Sequence, residues 1–188
     1  MAAPALLPWT GDEAADRLLA ADPNALLIGF VLDQQVTVQK AFVGPAVLRE
    51  RLGHLNPARI ATMGADAFLA VCRERPAVHR FPGTMATRIQ DLCQVLVDQY
   101  GGDGSRLWTE ASSGEDLAAR LGALPGIGPL KVTSLLVLLA RQYGVELPGL
   151  ATLLPTYPTL GEVRTADELA AYQAGKRAAK SAKRAAAR

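Results

Sequence analysis

The stretch Leu121-Gly122-Ala123-Leu124-Pro125-Gly126-Ile127-Gly128-Pro129-Leu130-Lys131 constrains this chain more than any other. Ser113 suits a helix N-cap with Asp116 three residues on, and Leu117, Leu121 and Leu124 recur at spacings of four and three. A helix is therefore expected to end near Ala123. Gly126 and Gly128 suit a tight reversal, and Pro129 has the fixed φ of a helix's first position. A second helix follows from Leu130 to about Tyr143, with Gly144 as its stop. It carries Leu135, Leu136, Val137, Leu138 and Leu139, is apolar nearly all round, and belongs at the centre of a fold. Backbone N–H groups over Gly126, Ile127, Gly128, Leu130 and Lys131 lie outside a full helical ladder, at the positive end of a helix dipole. They make a phosphate seat that reads no base, to which Lys131 and Arg120 add charge. The plain alternative is an ordinary αα-corner that uses glycine for packing.

With 188 residues and 49% hydrophobic content the chain can build one substantial core. Aromatics are only 5%, so the core is expected to be Leu, Val and Ala, and the fold all-α. Cys72 and Cys93 each fall inside an apolar helical pattern and read as buried free thiols; no metal and no cofactor is implied. Met1 to Pro8 hold no basic leader and no stretch of eighteen apolar residues occurs, so a cytoplasmic protein is expected, without membrane contact. Net charge is +2, but Lys176 to Arg188 carry six basic residues and no acid, which leaves about −4 on residues 1–175. That Ala-rich tail reads either as a nonspecific phosphate attractor or as a solvated, frayed helix.

Along the rest of the chain, Thr10 and Glu13 form a capping-box pattern for a first helix to Ala21, and Asp22-Pro23 starts a second. The second carries Leu26 to Leu32 and is expected to end around Gln35. Thr37 can cap a third helix with Phe42, Val47, Leu48 and Leu52, kinked or broken at Pro45 and closed by Gly53. Two shorter helices are expected after Asn56-Pro57 and over Asp66 to Cys72. Residues 75–83, with two prolines and a glycine, read as a loop. It gathers Arg73, Arg75, His79, Arg80 and then Arg88 around Phe81. Phe81 either stacks or wedges against bases or plugs the core, and His79 either orients a phosphate or base or is structural. Pro148, Pro155 and Pro158 preclude a long helix before Thr165, whose partner Glu168 points to a last helix from Ala166.

Leu124-Pro125-Gly126-Ile127-Gly128 resembles the hairpin of the helix-hairpin-helix base-excision DNA glycosylases, the endonuclease III and 3-methyladenine glycosylase superfamily. Leu27-Ile28-Gly29-Phe30-Val31-Leu32-Asp33-Gln34-Gln35 resembles that fold's early helix, which ends in a Gln or Asn facing DNA. Ala86-Thr87-Arg88-Ile89 through Tyr100-Gly101-Gly102 resembles the helix before the hairpin unit. The likeness spans most of residues 20–150 and is nearest to the HhH-GPD-type base excision DNA repair proteins. It implies two helical lobes with a cleft between them, as a single domain over 1–175. The core would be 22–145, with hairpin 124–129, terminal segments packed together, and 176–188 as a tail. The iron-sulfur cluster of some members lacks its four cysteines here.

The resemblance also implies a reaction: release of a damaged or mismatched base from double-stranded DNA by hydrolysis of its N-glycosidic bond, after the base is rotated out of the duplex. In bifunctional members a lysine just after the hairpin attacks the sugar. Leu130 holds that place here, and Lys131, about 100° further round the helix, does not replace it. A monofunctional enzyme without lyase activity is implied. The family's catalytic aspartate would fall in Leu147-Pro148-Gly149-Leu150, where Gly149 stands instead. Asp33, after an apolar helix, is the first candidate for the missing carboxylate and Glu146 the second. Gln34, Gln35, His79 and Phe81 are candidates for the base pocket or for filling the gap the base leaves. Gly126, Ile127, Gly128, Leu130, Lys131, Arg80 and Arg88 are candidates for phosphate binding. Three readings follow: a monomeric, nucleoid-associated glycosylase, a noncatalytic binder of damaged DNA, and a helical interaction module whose hairpin is only structural.

Overall fold

The computed structural model describes residues 3–186, and among these every regular element is helical. The α-helices are α1 (Glu13–Ala21), α2 (Pro23–Leu32), α3 (Val38–Leu52), α4 (Pro57–Ala61), α5 (Ala65–Arg73), α6 (Pro82–Tyr100), α7 (Arg106–Thr109), α8 (Gly114–Gly122), α9 (Pro129–Gln142) and α10 (Ala166–Ala186). Two short 3-10 turns, Leu150–Leu153 and Leu160–Glu162, lie between α9 and α10. None of the helices described is long and apolar enough to cross a membrane.

Most starts and stops follow local chemistry. Asp22, Thr37, Asn56 and Ser113 each accept first-turn N–H groups through their side chains. Three expectations need correcting. The cap of α1 is Asp12, whose carboxylate accepts from Ala14 and Ala15 N–H, because the Thr10 hydroxyl is turned to Asp16. Helix α3 runs through Pro45 without breaking. Helix α2 ends at Leu32, three residues early, because Asp33 leaves helical geometry and Gln35 takes a positive φ of 55°. The short helix α7 had no periodic signal to announce it.

Helix α2, buried from Ala25 to Leu32, is the axis against which α1, α3 and α6 pack. The core around it is not purely aliphatic. Trp9, Phe30 and Phe42 meet edge to face with centroids 4.8–6.0 Å apart, so a chain poor in aromatics places three of them at its centre. The N-terminal segment is held there by the buried carboxylate of Asp16, which accepts from the N–H groups of Trp9 and Thr10. Trp9 Nε1 donates to the Val163 carbonyl at 3.3 Å, and the Tyr143 hydroxyl donates to that of Ala20 at 3.0 Å. These two bonds tie the beginning of the chain to its later third.

Helix α10 begins with a reciprocal cap: Thr165 Oγ1 accepts from Glu168 N–H, and the Glu168 carboxylate accepts from Thr165 N–H. Leu169 is buried, Tyr172 half-buried, and the Gln173 and Gln39 amides bond side by side. No break occurs at residue 175. The basic segment continues the same helix, with every side chain described beyond Gln173 exposed. Ala187 and Arg188 of the expected tail lie outside the described residues.

Candidate functional site

The reversal between α8 and α9 is built on Ile127 and Gly126. Ile127 is buried as a plug, and its N–H donates back to the Leu124 carbonyl at 3.2 Å. Gly126 has φ of 77°, a conformation that a side chain resists. Gly128, at the N-cap of α9, has an ordinary φ of −87°, and a Cβ there would meet nothing within 4 Å. Its smallness serves neither the turn nor the packing. Lys131 N–H is bonded to the Gly128 carbonyl, so Ile127 and Lys131 drop out of the amide seat. The N–H groups of Gly126, Gly128 and Leu130 have no acceptor among the described residues and stand at the start of a fourteen-residue helix.

A recess of about 480 Å³ opens here, lined by Gly126, Ile127, Gly128, Lys131, Gln34 and Arg88. Arg88 reaches it from α6 and donates to Gln34 Oε1, while Gln34 Nε2 donates to the Val31 carbonyl at 3.1 Å. Gln34 is thus spent on fixing an arginine beside the hairpin. Lys131 folds back so that its ammonium donates to the Gly126 carbonyl at 2.9 Å, whereas Leu130 is 76% exposed. Burial pushes the Lys131 ammonium down to about 8, against an opposing pull from Asp33.

Lys131 also lines a second cavity, of about 250 Å³, on the other side of α9's first turn. Asp33 faces this cavity from the end of α2, with Leu130, Tyr157, Thr159, Tyr172 and Lys176 around it. Burial raises the Asp33 carboxyl above its ordinary value, and the charges of Lys176 and Lys131 offset only part of that rise. The carboxyl is therefore partly desolvated.

The two glutamines expected beside Asp33 do not share its cavity. Gln34 points to the hairpin recess, and Gln35 is exposed. His79 is corrected more sharply. It is buried, Nδ1 accepts from Phe81 N–H at 3.0 Å and Nε2 lies 2.8 Å from the Gln34 carbonyl, so both ring nitrogens are occupied by backbone. Burial lowers its pKa, which fits a neutral ring with the proton on Nε2. It cannot reach a phosphate or a base. Phe81 is no core plug: it is 42% exposed, with the Arg80 guanidinium 4.6 Å over its ring. Arg80 is at the surface and does not line the recess.

Glu146 is exposed and lines neither cavity. Gly149 has φ of 74°, and a Cβ there would sit 2.8 Å from a Glu115 carboxylate oxygen. An acidic residue at 149 would be strained and faced by a like charge. The segment is docked on α8 by the Gly114 N–H, which donates to the Pro148 carbonyl. Burial pushes the thiols of Cys72 and Cys93 up to about 12, which makes them unreactive. Among the described residues no three His, Cys, Asp or Glu side chains gather as a metal site.

The sequence reading missed the far wall of the Asp33 cavity. Tyr157 and Thr159 come from an irregular proline-bounded segment that carries no periodic signal. Tyr172 and Lys176 had a signal in their spacing of four on the last helix, alongside Leu169 and Gln173, which charge counting alone passes over. Compared with family models, curated proteins and solved structures, the chain finds no match in any of the three.

Proposed function

We propose that this chain is a helix-hairpin-helix DNA repair protein acting as a monofunctional glycosylase on a damaged or mismatched base, without metal or cofactor. The single observation that carries the reading is that Lys131 borders both the hairpin recess with its open amides and the cavity holding Asp33. In this reading the cleft separates the two helical lobes, and the duplex backbone lies on the hairpin. The Gly126, Gly128 and Leu130 amides and the α9 dipole hold a phosphate, with Arg88 beside it. The extruded base enters the Asp33 cavity. The carboxylate stabilises the cationic sugar as the glycosidic bond breaks, and water completes hydrolysis. Lys131, whose amine is mostly protonated at pH 7 and held on the Gly126 carbonyl, is a charge and not a nucleophile.

A second reading, a noncatalytic binder of damaged DNA in the nucleoid, is favoured by Gly149, whose positive φ and neighbour Glu115 disfavour an acid at the family's position. Labelled duplexes bearing uracil, hypoxanthine, an alkylated base or oxidised guanine, scored for alkali-sensitive sites, separate the two. Cleavage of one of them supports the enzyme. Tight binding to a lesion with no abasic site formed supports the sensor, and neither outcome with any duplex removes both.

A further inference from the structure

We propose that the outer half of α10 is a second docking surface for duplex DNA, a helix whose basic side lies along the sugar-phosphate backbone while its alanine side faces away. The inference rests on the reading of DNA as the partner and adds where, beyond the hairpin, a duplex is held.

The charge of this segment is sorted by side. Each residue turns a helix by about 100°, so Lys176, Arg177, Lys180 and Arg184 fall within an arc of about 100°. Ala174, Ala178, Ala182 and Ala185 fall within about 80° on the opposite side. All of these side chains are exposed. No acidic residue follows Glu168 in the chain. A solvated helix face is usually steadied by Glu and Lys four apart, whereas Lys176, Lys180 and Arg184 stand four apart with like charge. That row repels itself on a free helix, and a polyanion relieves the repulsion. The helix dipole favours cations near a C-terminus, but it acts equally on every side and does not confine them to one.

The basic side is also the side by which α10 is seated. Leu169, which is buried, and Tyr172 and Gln173, which are half-buried, lie within about 60° of Lys176 around the axis. Lys176 lines the Asp33 cavity together with Leu130 and Lys131 of α9's first turn. The stripe therefore starts beside the hairpin helix. From Lys176 it runs outward for about 12 Å to Arg184, the axial span of roughly three to four phosphates of one strand.

The opposite side decides between partners. Basic helices also bind anionic membranes or enter apolar grooves of other proteins, but those uses need Trp, Phe or Leu opposite the charge. Here that side is alanine, and no large apolar residue follows Tyr172. Nothing on it can enter a bilayer or fill a groove. A duplex backbone, in contrast, is bound through charge alone.

The test exchanges the two sides at constant composition. Ala178→Lys, Lys180→Ala, Ala182→Arg and Arg184→Ala, made together in the full chain, keep the net charge and the spacing of four but move two cations to the other side. Binding of an unmodified duplex is followed from about 50 to 200 mM salt, with helicity and melting point as controls. The slope of log affinity against log salt should shrink by about 1.8, the loss of two phosphate contacts at roughly 0.9 each. Ala178→Lys with Ala182→Arg alone adds cations to the alanine side and should leave the slope where it is. Attraction through net charge predicts the reverse of both results. The inference is overturned by a folded exchange variant with the wild-type slope or by a steeper slope in the addition variant. It is also overturned if the exchange abolishes binding to phosphatidylglycerol vesicles and leaves the duplex untouched, which makes a membrane the partner. An unchanged slope in the exchange variant, with duplex binding weakened by Gly128→Ala, sinks this inference and leaves the hairpin reading. A flattened slope in the exchange variant, with wild-type binding in the Gly126→Ala, Gly128→Ala double variant, does the reverse. A wild-type chain that binds no duplex at the lowest salt removes both.

Discussion

Helix α2 belongs to two different environments. Along its length Phe30 meets Trp9 and Phe42 in a dry edge-to-face cluster. At its end Asp33 faces a cavity whose far wall is made of Tyr157, Thr159, Tyr172 and Lys176. Phe30 borders both, but away from it close packing at Trp9 and Phe42 and unfilled space at Asp33 mean that stability and chemistry should separate. Substitutions in the aromatic cluster should unfold the protein, and substitutions around the cavity should leave it folded but altered in what it binds.

The largest effect should come from Trp9→Ala, which removes the centre of the cluster and the bond to Val163. It should cost about 3–5 kcal/mol in urea unfolding, while Tyr157→Ala should cost no more than about 0.5 kcal/mol. Equal losses would abolish the distinction between the two sides. Next, Asp33→Asn keeps the shape of the cavity but removes its charge, so base release from an active duplex should fall by roughly a hundredfold with binding retained. Glu146→Gln, exposed and outside both cavities, should cleave at the wild-type rate; the reverse pattern would move the acid to Glu146.

A sharper division runs through the hairpin. Gly128→Ala adds a methyl group in open space, so its melting point should match the wild type while binding to every duplex falls by roughly tenfold. Gly126→Ala, at positive φ, should lose stability as well as binding. Unchanged low-salt affinity in a folded Gly126→Ala, Gly128→Ala double variant would remove the hairpin from the interface.

Lys131 connects the two cavities and gives the comparison a pH signature. Its folded pKa of about 8 lies below the ordinary 10.5, so between these values the unfolded chain holds more protons and stability should rise with pH. Thermal melts from pH 7 to 10.5 should show the rise, and Lys131→Met should flatten it. The smallest effect concerns α10. Removing residues 176–188 deletes six positive charges, so the salt slope of nonspecific DNA binding should flatten while the fold survives. An unchanged slope would mean that this helix never reaches DNA.

What could be read in advance was what local chemistry decides. Asp22-Pro23, Thr37, Asn56-Pro57, Ser113, Gly53 and Gly144 set helix ends with their own side chains or backbone, within a few residues of where they act. Apolar composition placed α2 at the centre, because a helix apolar on every side has nowhere else to go, whereas α9 is buried only from Ser134 to Leu139 and packs on α8 and the two 3-10 turns. The positions of Asp33 and of the hairpin in the chain were legible for the same reason. Their relation was not. That Gln34 serves the hairpin and not Asp33 follows from one early helix end and a positive φ at Gln35. That His79 is consumed by backbone follows from the approach of two loops 45 residues apart. The wall of the cavity joins residue 33 to residues 130–134, 157–160 and 172–176, and no local pattern encodes which distant segments will meet. Sequence by itself determined most of the helices and caps, the α1 cap, the α2 end and α7 excepted, since those depend on neighbours a few residues away. Only the tertiary structure decided which side chains face the same empty space, because that depends on where the ends of α2, α9 and α10 come together with the 157–160 segment.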